Sequence, residues 1–185
     1  GVPLYLGQVR KRGRGFVEER ITSRENEKIK RAAHLLASAA DRRESGLFAA
    51  ETPKLVLDLL AYGVRPKELY CTEKALAVNP ALRRANCPLF LISDGVAEKL
   101  STQKSPTGVC LVAHAPQPGK EPFRTDGRYV CLERVQDPAN VGATLRTAAA
   151  MGFTAAVLGE GCADPFSPKA LRASMGAAVK LPLYR

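Results

Sequence analysis

The chain has 185 residues, 45% of them apolar, enough for one large domain or two small ones with a buried core. Its 28 Lys and Arg against 18 Asp and Glu give a formal charge of +10. That excess suits a polyanionic partner, because each phosphate neutralised by a cationic side chain releases counterions, although a basic surface also serves solubility. No apolar run is long enough for a transmembrane helix, and the basic N-terminus has no apolar signal core behind it. The cysteines (Cys71, Cys87, Cys110, Cys131 and Cys162) are scattered and form no C-x-x-C pair, and only 2 histidines could help them bind a metal. Free thiols in a cytoplasmic protein are expected, with no metal site.

Residues 1–20 form a basic leader carrying Arg10, Lys11, Arg12 and Arg14, read either as an RNA-touching arm or as a disordered tail. Thr22-Ser-Arg-Glu25 fits a capping box, in which the hydroxyl and the carboxylate each satisfy an orphan amide. A helix is predicted from there to about Asp41, with Ile29, Ala33, Leu36 and Ala40 on one face. Leu47–Glu51 reads as a strand. Pro53 suits the first turn of the next helix, which carries Leu55, Val56, Leu59 and Leu60 and ends near Gly63. A strand over 68–72, a helix to about Arg84, a strand over 89–93, a short helix to Leu100 and a strand over 108–113 follow. This alternation predicts a small α/β domain over 21–114 with a mainly parallel sheet.

Ala115-Pro-Gln-Pro-Gly-Lys-Glu-Pro122 continues neither helix nor sheet, because proline lacks an amide donor and fixes φ. Residues 115–127 are therefore read as a linker. A second α/β segment over 128–185 is predicted: strand 129–133, helix 140–151, strand 155–159, helix 168–175 and an apolar stretch 179–184. It is small for a doubly wound domain and reads as an α/β domain cut short.

Two polar runs in this second segment stand out. In Asp137-Pro-Ala-Asn-Val-Gly-Ala-Thr-Leu-Arg-Thr-Ala148, Asp137-Pro138 turns the chain after a strand and Asn140 lies where the helix begins. Gly142 and Ala143 keep the first turn small, so that a backbone or a nucleotide can approach. A helix N-terminus offers free amides to a phosphate, and the Arg146 guanidinium can grip phosphate or ribose oxygens in bidentate fashion. Taken singly, the same residues could be an N-cap, a packing contact and an ordinary helix arginine. In Asp164-Pro-Phe-Ser-Pro-Lys-Ala-Leu-Arg-Ala-Ser-Met-Gly176, Ser167-Pro168 reads as an N-cap followed by proline at the first helical position, and Gly176 as a helix end. Local structure does not account for Asp164, Lys169, Arg172 and Ser174 in so short a run.

The order N-x-G-A-x-x-R-T-A after a strand, with the D-P-F-S-P-K run behind it, resembles the SpoU/TrmH family of RNA ribose 2′-O-methyltransferases, matching it at Asn140, Gly142, Ala143, Arg146, Thr147 and Ala148. Gly46-Leu-Phe-Ala-Ala-Glu51 and Ser105-Pro-Thr-Gly-Val109 resemble the family's N-terminal RNA-binding domain less specifically. The resemblance implies a small ribosomal-protein-like α/β domain followed by part of an α/β-knot (SPOUT) methyltransferase domain. It also implies methyl transfer from S-adenosyl-L-methionine to rRNA or tRNA, and a homodimer. Asn140 and Arg146 are the implied catalytic residues. Arg146 would hold the neighbouring phosphate and stabilise charge developing on the 2′-oxygen, and Asn140 would orient the ribose or the arginine. Arg10, Lys11, Arg12, Arg14, Lys169 and Arg172 are the candidates for RNA contact.

The family's glycine-rich G-[NS]-E-x-x-G loop, its I-P-[MI] segment and its terminal S-L-N-V-[AS]-x-A helix, which bind the methyl donor, have no counterpart here, so no donor-binding residue is assigned. Gly159-Glu-Gly161 echoes the loop but comes too early. The expectation is a C-terminally truncated enzyme chain that is itself inactive. The alternative is a non-catalytic RNA-binding module.

Overall fold

The computed structural model describes residues 17–185. The first domain is a five-stranded sheet built from β1 (Val17–Ile21), β2 (Leu47–Glu51), β3 (Pro66–Cys71), β4 (Leu89–Ile92) and β5 (Val109–His114), in the order β1-β4-β3-β5-β2. The residues Arg10, Lys11, Arg12 and Arg14 lie outside the described residues. Val17–Ile21, however, pairs with β4, so the last residues of the supposed leader belong to the sheet. The sheet is not mainly parallel. β4 runs parallel to β1 and β3, whereas β5 runs antiparallel to both β3 and β2.

Side chains alternate across this sheet as the two-residue period requires. Leu47 and Ala49 face one core with Tyr70, Phe90 and Val112, and Phe48 and Ala50 face the other with Leu69 and Leu111. The first core is covered by α1 (Glu27–Ala37), through Ile29, Ala32, Leu35 and Leu36. Ile29 and Leu36 are buried as expected, but Ala33 is only half-buried and Ala40 is exposed, and Ala32 and Leu35 complete the face instead. The capping box does not form. Ser23 accepts from Glu25 N–H in a turn, and the helix starts later, where the Asn26 side chain accepts from Lys28 N–H at 2.9 Å. The helix also stops short of Asp41. Ser38 is extended (φ −112°, ψ 120°) and its hydroxyl caps Asp41 N–H, opening a second helix, α2 (Ala39–Ser45).

The second core is covered by α3 (Pro53–Ala61) and α4 (Glu73–Val78). The helix expected to reach Arg84 breaks at Asn79, because the residue before a proline avoids helical geometry, and a 3-10 turn takes over at Pro80–Arg84. A short α5 (Asp94–Lys99) leads through a loop into β5.

The second segment has a three-stranded parallel sheet, β6 (Tyr129–Leu132), β7 (Ala155–Leu158) and β8 (Leu183–Tyr184), in that order, with α6 (Pro138–Ala150) and α7 (Pro168–Ser174) packed on each other. The apolar stretch 179–184 thus ends in a short strand rather than running on as one element. The α3-side core continues without a break from Leu59 and Phe48 into Leu145, Leu158, Leu171 and Leu183. The residues between the two sheets do not dangle. Gly119 N–H donates to Leu183 C=O at 2.7 Å, the Tyr184 hydroxyl donates to Glu121 C=O, and the Phe123 ring lies 4.8 Å from Tyr129 and 4.9 Å from Tyr184. This proline-rich connection covers the outer edge of β8.

Candidate active site and the contact between the two domains

Asp137, not Asn140, caps α6. Its carboxylate accepts from Ala139 N–H at 3.0 Å, and Pro138 occupies the first turn, where a missing amide costs nothing. Lys169 of α7 donates to the same carboxylate at 2.9 Å. That hydrogen bond, then the Ala139 amide, hold Asp137 below the usual carboxylate range. Asn140 is therefore already inside the helix and is exposed. Arg146 is exposed too, and among the described residues neither side chain has a hydrogen-bond partner. They stand six positions apart, about 120° from one another around the axis at 3.6 residues per turn. The two candidates thus share a helix but not a face.

Gly142 is buried where α6 crosses α7. A Cβ on it would lie 2.4 Å from the Ala170 carbonyl oxygen and 2.9 Å from Ser174 N. The absent side chain makes room for a neighbouring backbone, one of the two uses expected of it. Ser174, buried at the crossing, keeps its hydroxyl satisfied within α7 by donating to Leu171 C=O at 3.0 Å. Gly142→Ala should therefore destabilise the protein by about 1–3 kcal/mol, since neither backbone can retreat without moving its helix. An unchanged denaturant midpoint would contradict this.

The second polar run is explained by what it touches in the first domain. Asp164 accepts from Arg42 Nε at 2.6 Å, and both side chains are only 6% exposed. Arg42 Nη1 also donates to the carbonyls of Leu35 and Leu36, at 2.6 and 3.2 Å, at the end of α1. Arg172 donates to Glu51 Oε1 at 2.6 Å and to the Thr102 hydroxyl at 3.1 Å. Phe166 stacks on Phe48 with ring centroids 5.7 Å apart. Ser167 caps α7 as expected, and Met175 and Gly176 end it with left-handed φ of 50° and 79°. Of the two α7 residues assigned to RNA contact, Lys169 serves Asp137 and Arg172 serves a buried carboxylate of the neighbouring domain.

Glu51 itself was not singled out from sequence, because a glutamate at the end of an apolar strand carries no pattern. It is 1% exposed. Burial pushes its pKa up, but hydrogen bonds from Ser101 and Thr102 and the charge of Arg172 outweigh burial and leave it below its ordinary value. A lowered folded-state pKa means stabilisation that is complete above the unfolded carboxylate's pKa and fades as pH falls through the folded value. The melting temperature should therefore drop below the ordinary carboxylate range, and Glu51→Gln should flatten that drop. A Glu51→Gln profile as steep as wild type would remove Glu51 as the source.

At the carboxyl ends of β6 and β7 two loops lie against each other. Gly159 N–H donates to Leu132 C=O at 2.8 Å, Arg134 N–H to Glu160 C=O at 3.2 Å, and Ala163 N–H to Val135 C=O at 2.8 Å. Arg134 has a left-handed backbone (φ 52°), an uncommon state for a residue with a side chain. Among the described residues no group of three His, Cys, Asp or Glu could hold a metal, and no helix is long and apolar enough to cross a membrane. All five cysteines are free thiols.

Residues 26–111 match an MRM3-like substrate binding domain, and residues 127–185 match the SpoU rRNA Methylase family. The 23S rRNA (guanosine(2553)-2'-O)-methyltransferase RlmP of Bacillus subtilis is 28% identical over 167 residues, which are 90% of this chain and 65% of RlmP. A solved RNA 2'-O ribose methyltransferase superposes with a TM-score of 0.73 at 29% identity, covering 89% of this chain and 64% of its own. Residues 127–185 belong to the SpoU rRNA Methylase family, and over most of its length the chain is similar to RNA methyltransferases of that kind.

Another family structure, the AdoMet-bound rRNA methyltransferase of Sinorhizobium meliloti, superposes with a TM-score of 0.71 at 28% identity over 90% of this chain and 64% of its own. The chain thus spans less than two thirds of the length of these SpoU/TrmH relatives. They share its α/β methyltransferase fold. Asn140, Arg146, Asp164, Lys169 and Arg172 lie in the SpoU-matched range, and Arg42 and Glu51 in the substrate-domain range. The buried Arg42–Asp164 pair and the half-buried Arg172–Glu51 pair therefore each join one matched range to the other.

Proposed function

We propose that this protein transfers a methyl group from S-adenosyl-L-methionine to a ribose 2′-hydroxyl of rRNA or tRNA, as a homodimer in a reducing, cytoplasmic setting. The family membership and the 2'-O-methyltransferase activity named for RlmP support the reaction, and the AdoMet-bound relative supports the donor. The resemblance supports the dimer, and the five free thiols support the compartment. The division into a substrate domain over 21–114, a connection over 115–127 and a methylase segment over 128–185 rests on the matched ranges.

One observation carries the assignment of the site: Arg146, inside the N-x-G-A-x-x-R-T-A run, is the cation of α6 and stands exposed with no partner among the described residues. A neutral 2′-hydroxyl is a weak nucleophile, so the site must align it with the methyl group and favour loss of its proton. A guanidinium anchored on the adjacent phosphate does both, by fixing the ribose and by stabilising negative charge as it develops on the oxygen. Asn140, on another face of α6, would orient the ribose from the side. The donor supplies the electrophilic methyl group. The loops after β6 and β7 do not by themselves form a donor cradle, since the amides of Arg134, Gly159, Cys162 and Ala163 are already bonded to loop and strand carbonyls.

The test is incubation of the protein, at the full length of its relatives, with ribosomal RNA and labelled donor, followed by alkaline hydrolysis. A 2′-O-methyl group blocks cleavage of its own phosphodiester, so label should appear in alkali-resistant dinucleotides. Label released only on bases would refute the ribose assignment.

A further inference from the structure

We propose that the groove between the two domains seats single-stranded RNA, with Arg43, Arg65 and Lys180 on its phosphates and the proline-rich connection as its apolar floor. The proposal rests on the reading of the protein as an RNA-modifying enzyme, and it names a substrate surface lined by no residue of α6.

Two adjoining clefts, of about 340 and 410 Å³, share Gly46, Ala115, Pro116, Gln117 and Val179 as walls and together make one groove. Apart from Arg42 and Arg185, which face Asp164, its cations come from separate elements of both domains: Arg43 from α2, Arg65 just before β3, and Lys180 after α7. No Asp or Glu lines either cleft, and among the described residues no carboxylate lies within ion-pair distance of these three cations. All three are exposed. They differ in this from Arg42 and Arg172, whose charges are spent on Asp164 and Glu51.

Two of the three heads are aimed by their neighbours. Lys180 Nζ sits 4.7 Å from the centroid of the Tyr62 ring, and Arg65 Nη2 lies 2.9 Å from His114 Nδ1. Between the cations the lining is mostly apolar, with Pro116, Pro118, Val179 and Phe166 around Gln117. A cationic rim over an apolar floor is what an unpaired strand requires, because its phosphates and its base faces are both on offer. A duplex hides its base faces and would use only the rim.

The experiment measures binding of a fluorescein-labelled oligouridylate, and of an RNA duplex of equal length, by anisotropy between about 50 and 200 mM salt. Arg43→Glu, Arg65→Glu and Lys180→Glu are compared singly and together with a control, Arg83→Glu/Arg84→Glu, on the exposed 3-10 turn far from the groove in sequence. Each groove reversal should weaken oligouridylate binding about tenfold, and the triple variant should flatten the log–log salt slope by about two, at about 0.7 per phosphate lost. The control should change binding less than about twofold, and oligouridylate should bind wild type more tightly than the duplex. Unchanged affinity in the triple variant overturns the proposal, as does an equal loss in the control. Variants that keep RNA affinity but lose self-association in sedimentation would mean that a second copy of the chain fills the groove, which also overturns it. Labelling assays on the same variants separate the two claims. Methyl transfer by wild type with normal RNA binding in the triple variant sinks the groove alone. Groove-dependent binding without methyl transfer by wild type sinks the enzymatic reading alone.

Discussion

Arg146→Ala is expected to lower methyl transfer by about 10²-fold or more, the usual consequence of removing one group aimed at developing charge. The loss should fall on kcat and kcat/KM together, because the proposed interaction strengthens only as the oxygen becomes negative. A rise in KM at constant kcat would instead make Arg146 a simple phosphate clamp. Arg146→Lys should also be impaired, since an ammonium is a point charge and cannot reproduce the two-pronged guanidinium. The melting temperature should barely move in either variant. Arg146 is exposed and makes no ion pair with the described residues, and such side chains contribute little to stability. Near-normal methyl transfer in Arg146→Ala would end its assignment as the catalytic residue.

Asp164→Ala is expected to do the opposite, costing about 3–5 kcal/mol of stability. The substitution leaves the Arg42 guanidinium 6% exposed with its carboxylate partner gone, while its bonds to the Leu35 and Leu36 carbonyls hold it in place. For a chain of this size the melting temperature should fall by roughly 10 °C, at about 2–4 °C per kcal/mol. Pairing Asp164→Ala with Arg42→Met should recover part of the loss, because an apolar side chain of similar length carries no orphaned charge. If the double variant melts below the single one, the capping of α1 by Arg42 outweighs its pairing with Asp164. If Asp164→Ala melts like wild type, the pair carries no stability.

The sequence made the strands and the motif-bearing helices legible because their signals are local. A continuous apolar run closed by Glu51 marks β2, and Ser167-Pro168 opens α7 as its cap predicts. Local signals also competed. Thr22 and Ser38 both sit three residues before an acid, but only Ser38 caps a helix, because Asn26 takes that role for α1. The antiparallel course of β5 depends on which neighbours it meets across the sheet, which no short window contains. The same holds for the site. The order of Asn140, Gly142 and Arg146 pointed to one helix, but whether Arg172 meets RNA or protein was decided by Glu51, 121 residues earlier, and the partner of Asp164 lies 122 residues away. Lys169 follows a related rule: its partner Asp137, 32 residues earlier, is the cap of the other motif helix, which no window around α7 contains.

The way Arg42, Glu51 and Phe48 meet Asp164, Arg172 and Phe166 bears on how such a protein can be recombined. The proline-rich connection invites a crossover there when chimeras are built between relatives, as if the halves were interchangeable parts. A crossover at that point separates every one of these partners, and a buried Asp or Glu facing a foreign side chain is worse than no acid at all. Chimeras that carry matching residues at all six positions should fold, whereas those joined by connection length alone should aggregate. The unit of inheritance is the matched set across the joint rather than either half.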